Sequence, residues 1–287
     1  MCYELTARQR REQEFFDDYW RKDQHPTQVN LDPVAGKEHR PWNAYWYVFE
    51  CVKQRYESGA RTLLDFGCGA GYNSLLFATL GYEVSGFDLS PGAVETAVSL
   101  AANHHLAHRT HFSVQRSENL DYPDQHFDVV VGIDILHHVE IAPSIAETLR
   151  VLKPGGVAYF KECVEVHLFD RLVNSAVTRF LFPWFFLQEK TYGTRSVCLT
   201  EDERKLTDHD LDVVCELCPT TIEKRFYNLA RLHRLFPMGD RSSPLERFDY
   251  WLDNKIPALG KLGGWVLLEL DKGSDPSRTP TVREVCL

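Results

Sequence analysis

Between residues 62 and 162 short apolar runs rich in β-formers alternate with stretches whose apolar residues recur at helical spacing. That is the pattern of βαβ units feeding a parallel sheet. Thr62-Leu-Leu-Asp-Phe66 is the first run, and a helix from Ser74 to Leu80 follows, closing on Gly81 at the position after the cap. Tyr82 to Phe87 is the second run. Ser90-Pro91 then supplies an N-cap and a proline at the first helical position, with Val94, Ala97, Val98 and Ala101 at i, i+3, i+4 and i+7. His111 to Val114 reads as a third strand, and Phe127-Asp-Val-Val-Val-Gly-Ile133 as a fourth, apolar enough to be buried on both faces. Ile145, Leu149 and Leu152 repeat on one helical face, and Lys153-Pro-Gly-Gly156 reads as the turn that stops that helix and leads into a fifth strand, Val157 to Phe160.

Beyond Glu162 the alternation lapses until Thr207-Asp-His-Asp210, a capping-box start for a helix through Leu211, Val214 and Cys215. Thr220 to Phe226 and Gly264 to Leu270 read as the last two strands, paired, with a helical insertion containing Phe248, Trp251 and Leu252 between them. The chain is therefore expected to be one domain with additions. Residues 1–58 form a helical N-terminal extension, with the pairs Phe15/Phe16 and Tyr19/Trp20 one helical turn apart; 59–162 are the ligand-binding core; 163–204 are an aromatic lid or insertion; 205–271 complete the core; 272–287 are a flexible tail.

A length of 287 residues, 44% hydrophobic and 25% charged, excludes a peptide-sized binding module. The net charge of −9, with no block of Lys or Arg, argues against a nucleic-acid partner. The longest strongly apolar stretch, Phe180 to Leu187, falls well short of the roughly 20 residues needed to span a bilayer. No transmembrane segment is expected, while peripheral contact with a membrane stays open. Eight Cys are scattered through a chain without a secretory pattern at its start, which reads as free thiols in a reducing compartment and a cytoplasmic location. Cys215-Glu-Leu-Cys218 has zinc spacing but no second ligand pair, and reads as the apolar face of a helix; no metal is expected there or at His105, His108 and His111.

The candidate chemistry begins at Leu64-Asp65-Phe66-Gly67-Cys68-Gly69-Ala70-Gly71, which follows the first strand and opens a helix. That is where an α/β sheet binds a nucleotide, and glycines let the backbone turn tightly against the ligand. The spacing is GxGxG with an aspartate two residues before it, not the GxGxxG of dinucleotide enzymes. A carboxylate beside the loop would repel a pyrophosphate and favour a cationic ligand, which selects against NAD. Asp88 ends the second strand, 21 residues after Gly67, where it can accept both hydrogen bonds of a ribose diol.

Residues 62–162 resemble, motif by motif, the class I S-adenosylmethionine-dependent methyltransferases of small-molecule type. The resemblance implies an α/β, Rossmann-like seven-stranded mostly parallel sheet with helices on both faces, plus helical additions at the N-terminus and after strand five. It implies S-adenosyl-L-methionine as cofactor, with the loop from Asp65 through Gly67, Cys68, Gly69 and Gly71 under the methionine moiety. Asp88 would hold the ribose, Leu89 would pack on adenine, and Asp134, in Gly132-Ile-Asp-Ile-Leu-His-His-Val139, would line the methyl-transfer site. Leu149 to Gly156 matches a run whose role in the family is structural. One departure is Arg116, which stands where relatives often carry an acidic residue for the adenine amino group; the contact then falls to Ser117 or Glu118.

Methyl transfer to a hydroxyl or carbon acid needs a base, and the ends of strands four and five offer His138, His137 and Glu162, the last expected at an exposed strand end, with Tyr19 a further candidate from the N-terminal segment. A pair of His after a strand is otherwise a packing feature. The expected acceptor is a small or medium-sized, partly apolar organic molecule, lipid-like compounds included. A non-catalytic cofactor-binding regulator and a protein methyltransferase are the rival readings. Phe169 to Leu187 admits three roles: a helix face packed on the domain, a lid over an apolar acceptor, or a contact surface for a membrane or partner.

Overall fold

The computed structural model describes residues 4–22, 29–31, 42–166, 180, 204–226, 243–256 and 262–273. Seven strands, β1 (Thr62–Phe66), β2 (Glu83–Asp88), β3 (Thr110–Val114), β4 (Phe127–Ile133), β5 (Leu152–Cys163), β6 (Ile222–Phe226) and β7 (Trp265–Asp271), form one sheet in the order β3-β2-β1-β4-β5-β7-β6. The pairs among β1 to β5 are parallel, and β7 runs antiparallel to both β5 and β6. The expected mostly parallel seven-stranded sheet is thus the observed one. Strand order reverses between β1 and β4, and a ligand cleft at the C-terminal edge belongs at such a switch point.

The described helices are α1 (Ala7–Lys22), α2 (Ala44–Glu57), α3 (Tyr72–Thr79), α4 (Pro91–Asn103), α5 (Ile141–Val151), α6 (Asp208–Leu217) and α7 (Ser243–Lys255). Local chemistry accounts for several of their ends. Ser90 Oγ accepts from Ala93 N at 3.1 Å with Pro91 at N1, and Gly81 follows the cap of α3 with φ +107°. Thr207 and Asp210 bond reciprocally in a capping box at the start of α6. Helices cover both faces of the sheet. On one, Leu136, Ile145, Leu211 and Val214 pack against Leu64, Val130, Ala158 and Leu268; on the other, Tyr47, Val48 and Val52 of α2 pack against Leu63, Val129, Val157 and Leu267.

The structure corrects the reading of Leu152 to Gly156. Leu152 is not on the helix face: α5 stops at Val151, and Leu152 pairs with Phe127 as the first residue of β5, with a register irregularity between Phe127 and Val129. Lys153-Pro-Gly-Gly156 is carried within the strand, its Gly155 at φ +78° donating to Gly273 O at 2.8 Å. Proline and glycine fit there because a bulge leaves ladder positions unpaired. Cys215 lies on α6, but Cys218 is its C-cap, buried, with Sγ 3.1 Å from Thr220 Oγ1. Among the described residues no group of His, Cys, Asp and Glu is arranged to hold a metal, and no helix is long and apolar enough to cross a membrane. Most of 163–204 and of the tail lies outside the described residues, so the three roles for Phe169 to Leu187 are not addressed by the structure.

Candidate active site

The loop after β1 turns through three left-handed residues, Gly67 (φ +72°), Gly69 (φ +51°) and Gly71 (φ +77°). At Gly67 a Cβ would also stand 2.5 Å from Ile135 Cδ1, and at Gly71 2.8 Å from the Ala97 methyl, so glycine is required twice over at both. Asp88 ties this loop to the end of β2. Its Oδ2 accepts from Gly69 N and its Oδ1 from Ser90 N, each at 2.9 Å. A carboxylate oxygen has capacity for a second donor, so Asp88 is fixed in place and still able to accept from a diol. Burial raises its pKa, while the bonds from Ser90 and Gly69 pull it down.

Asp65 is placed differently from the expectation. It is buried beneath the loop, 1% exposed, and accepts from Ser74 Oγ at 2.5 Å. Burial pushes its pKa up to about 7, against the lowering effect of the Ser74 hydroxyl. It does not line the cleft, and neither do Cys68 or Gly71. Their part is to shape the loop from below.

Above the loop lies a cavity of about 470 Å³, within the range of small-ligand sites. Gly67, Gly69, Asp88, Leu89, Ser117, Glu118, Asp134, His137, His138 and Tyr19 line it, so the structure brings together ten of the fourteen candidate residues. Asp134 has φ +54°, unusual for a residue with a side chain. Its Oδ2 accepts from Lys161 Nζ at 2.6 Å, and that ammonium sits 3.7 Å from the centre of the Trp265 ring. The other oxygen, Oδ1, is buried without a hydrogen-bond partner among the described residues. An orphaned carboxylate oxygen at a cavity wall is a site for a cation or a donor.

Glu162 is not at an exposed strand end. It is fully buried and outside the cavity lining: Oε1 accepts from Ile135 N and Leu136 N, both at 2.7 Å, and Oε2 from His137 Nδ1 at 2.7 Å. Those bonds hold the turn after β4, so Glu162 positions groups and is not poised to touch a ligand. His138 Nδ1 instead lies within hydrogen-bond distance of Glu12 Oε2, at 3.1 Å, with Phe16 edge-on to its ring at 5.5 Å.

Glu12 and Phe16 belong to α1, which roofs the cavity. Gln9, Glu12, Gln13, Phe16, Tyr19 and Trp20 all line it, and Trp20 Cζ2 stands 3.8 Å from where a Cβ on Gly69 would be. Further side-chain contacts dock the helix. Arg8 Nη2 donates to His137 O at 2.9 Å, Gln9 Nε2 to Glu118 Oε2 at 3.0 Å, and Gln13 Nε2 to Leu89 O at 2.8 Å; Asp17 Oδ1 accepts from Ser90 Oγ at 2.6 Å and Gly92 N at 2.8 Å. The sequence reading named the aromatics of this helix but missed Gln9, Glu12 and Gln13. The signal was there: positions 9, 12, 13, 16, 19 and 20 fall on one helical face, polar at one end and aromatic at the other. Trp265 and Cys163, from the adjacent ends of β7 and β5, also line the cavity and carried no local signal. Burial pushes the Cys163 thiol up to about 11, so it stays protonated.

Residues 64–160 match the family model of a methyltransferase domain. A 2-methyl-6-phytyl-1,4-hydroquinone methyltransferase from Synechocystis sp. is 38% identical over 98 residues, 33% of this chain and 30% of that protein. A probable S-adenosylmethionine-dependent methyltransferase from Mycolicibacterium smegmatis is 32% identical over 132 residues, 44% of this chain and 49% of that protein. The match thus spans less than half the length of these curated relatives. Among solved structures, the 4+2 cyclase SpnF superposes with a TM-score of 0.53 at 19% identity, covering 96% of this chain and 100% of that one. Geranyl diphosphate C-methyltransferase from Streptomyces coelicolor A3(2) gives 0.51 at 13%, covering 94% and 100%. The structural likenesses establish the fold. Residues 64–160 are thus similar to the core of S-adenosylmethionine-dependent methyltransferases.

Proposed function

We propose that this chain transfers the methyl group of S-adenosyl-L-methionine to a small or medium-sized, partly apolar organic acceptor. What carries the reading is that one cavity gathers the left-handed glycine loop, the pinned carboxylate of Asp88 and the partnerless Oδ1 of Asp134. These fit the cofactor's three ends. Asp88 takes the ribose diol, Leu89 and the Ser117/Glu118 corner take adenine, and the glycine loop with Asp134 takes the methionine end, where an ammonium would satisfy the orphaned oxygen. Bound there, the cofactor supplies an electrophilic methyl group on a sulfonium.

The chain's own residues do the rest by placement. The α1 roof, with Phe16, Tyr19 and Trp20, excludes water and holds an apolar acceptor in line, and orientation of this kind is the main source of rate in a displacement. His138, at the cavity wall, takes the proton of a hydroxyl acceptor. Relatives named for a hydroquinone, for ubiquinone biosynthesis and for tocopherol support an acceptor of that chemistry. A lipid-like acceptor fits the same wall, and peripheral contact with a membrane would follow from it.

Calorimetry with S-adenosylmethionine and S-adenosylhomocysteine tests the assignment. Both are expected to bind, and Asp88→Ala is expected to cost about 2 to 3 kcal/mol, since bonds to a charged acceptor are the strong ones. Wild-type protein that binds neither would overturn the reading. Binding without any small molecule gaining a methyl group on expression, followed by mass spectrometry, would favour a non-catalytic binder.

A further inference from the structure

The turn after β4 presents two adjacent imidazoles to the same cavity, and only one is available for chemistry. His137 is locked to Glu162 inside the fold and is itself almost fully buried. His138 is 13% exposed in its side chain, and its carboxylate partner comes from a different element 126 residues away. Glu12 is itself buried, in a helix whose remaining acidic residues have no such position. Burying a carboxylate is costly unless it is hydrogen-bonded, and the Glu12 carboxylate is set against one ring nitrogen of a cavity-lining histidine.

We infer that Glu12 is the positioning residue for His138, fixing it as the Nδ1–H tautomer so that Nε2 carries the lone pair. The inference rests on the methyl-transfer reading for its purpose and on the Glu12–His138 geometry for its content. An ionised carboxylate only accepts, so the nitrogen that faces it must bear the hydrogen, and the other nitrogen of the neutral ring is then the acceptor. In the reaction, the acceptor oxygen forms its bond to the methyl carbon as the carbon–sulfur bond breaks and its electron pair returns to sulfur. The hydroxyl proton goes to His138 Nε2, and the imidazolium so formed is paired with the Glu12 carboxylate. Because Glu12 rides on α1, the base is complete only when the roof is docked. Among the described residues, the charged and titratable groups that face His138 are Glu12 from α1, Asp88 at the end of β2, which feels its charge, and His137 beside it with ring centres 4.2 Å apart.

The test needs neither cofactor nor acceptor. Long-range proton–nitrogen correlation spectra of the full chain labelled with nitrogen-15 histidine, at a pH where the imidazoles are neutral, report which ring nitrogen carries hydrogen. Comparison with His138→Gln assigns the signals. In the wild type His138 is expected as Nδ1–H, and in Glu12→Ala that signature is expected to be lost in favour of Nε2–H while the His137 pattern is unchanged. A wild-type His138 protonated at Nε2 overturns the inference whether or not the variant folds, and so does a folded Glu12→Ala that keeps Nδ1–H. S-adenosylmethionine calorimetry on the same samples separates the two claims. Absent binding with an Nδ1–H His138 would sink the cofactor reading and leave the positioning intact.

Discussion

His137 and His138 are neighbours in the chain with nearly touching rings, and each meets a carboxylate through Nδ1, yet the two pairs are built in opposite ways. The His137 pair is closed: Glu162 also accepts two backbone amides of the same turn, so the carboxylate and the ring it holds both belong to the β4–β5 edge. The His138 pair spans two elements joined by a few side-chain contacts. The first arrangement makes a rigid turn, and the second makes a ring whose state depends on whether another element is in place. Adjacent residues of one type thus divide into a structural and a chemical role by where their partners originate.

The largest expected effect comes from breaking the closed pair. Glu162→Ala leaves two amides and an imidazole without their acceptor, and removing one member of a buried ionic network costs about 3 to 5 kcal/mol. A fall in Tm of roughly 10 °C follows for a domain of this size, at about 2 to 4 °C per kcal/mol, together with loss of cofactor affinity as the turn collapses. Differential scanning calorimetry checks it. An unchanged Tm with abolished turnover would mean that Glu162 acts chemically and that the contrast between the pairs is false.

Asp65 sharpens the contrast, because it is a buried carboxylate at the same sheet edge that is met by the hydroxyl and backbone of Ser74 and by no cation among the described residues. Its pKa of about 7 in the fold lies above its usual 3.8, so the folded state favours the neutral acid. That contribution to stability is complete below about pH 4 and is lost as pH rises through about 7. At 1.36 kcal/mol per pKa unit the full difference corresponds to about 4 kcal/mol, an upper bound. Asp65→Asn is therefore expected to stabilise the ligand-free protein at pH 7 to 8 and to flatten the decline of Tm between pH 4 and 7. Parallel Tm curves for the two proteins would show that Asp65 is ionised throughout.

These cases also show what a sequence can carry. The Ser90-Pro91 start, the Gly81 stop, the Thr207/Asp210 capping box and the left-handed glycines are local devices, each decided within a few residues, and the structure has them where the pattern puts them. That the core sheet is parallel follows from the alternation, because strand–helix–strand units join parallel strands. The misreadings are all long-range. Leu152 kept the helical period and yet left the helix, because pairing with Phe127 claimed it. Glu162 sits at a strand end that is buried, because the turn after β4 aims two amides at it and β7 pairs beside it at Val266. Glu12 could be placed on a helical face from the sequence, but nothing in the spacing says that this face meets His138.

The smallest expected effect probes how firmly the open pair is held. Asp17 accepts from the Ser90 hydroxyl and from Gly92 N at the start of α4, so it joins α1 to the N-terminus of another helix, where a negative charge is favoured. Asp17→Ala removes that joint while Ser90 keeps its own cap on Ala93, and the loss is about 1 kcal/mol. Little of this should reach the global Tm, because α1 contributes no residue to the buried apolar clusters flanking the sheet. It should instead appear in the roof, as cofactor dissociation up to about fivefold faster by stopped-flow, the factor equivalent to 1 kcal/mol, and as faster hydrogen exchange confined to α1. The His138 tautomer should hold in this variant, since Glu12, Arg8 and Gln13 still dock the helix. If the Nδ1–H signature is lost with Asp17 as completely as with Glu12, then the pair depends on α1 as a whole and not on the carboxylate that faces it.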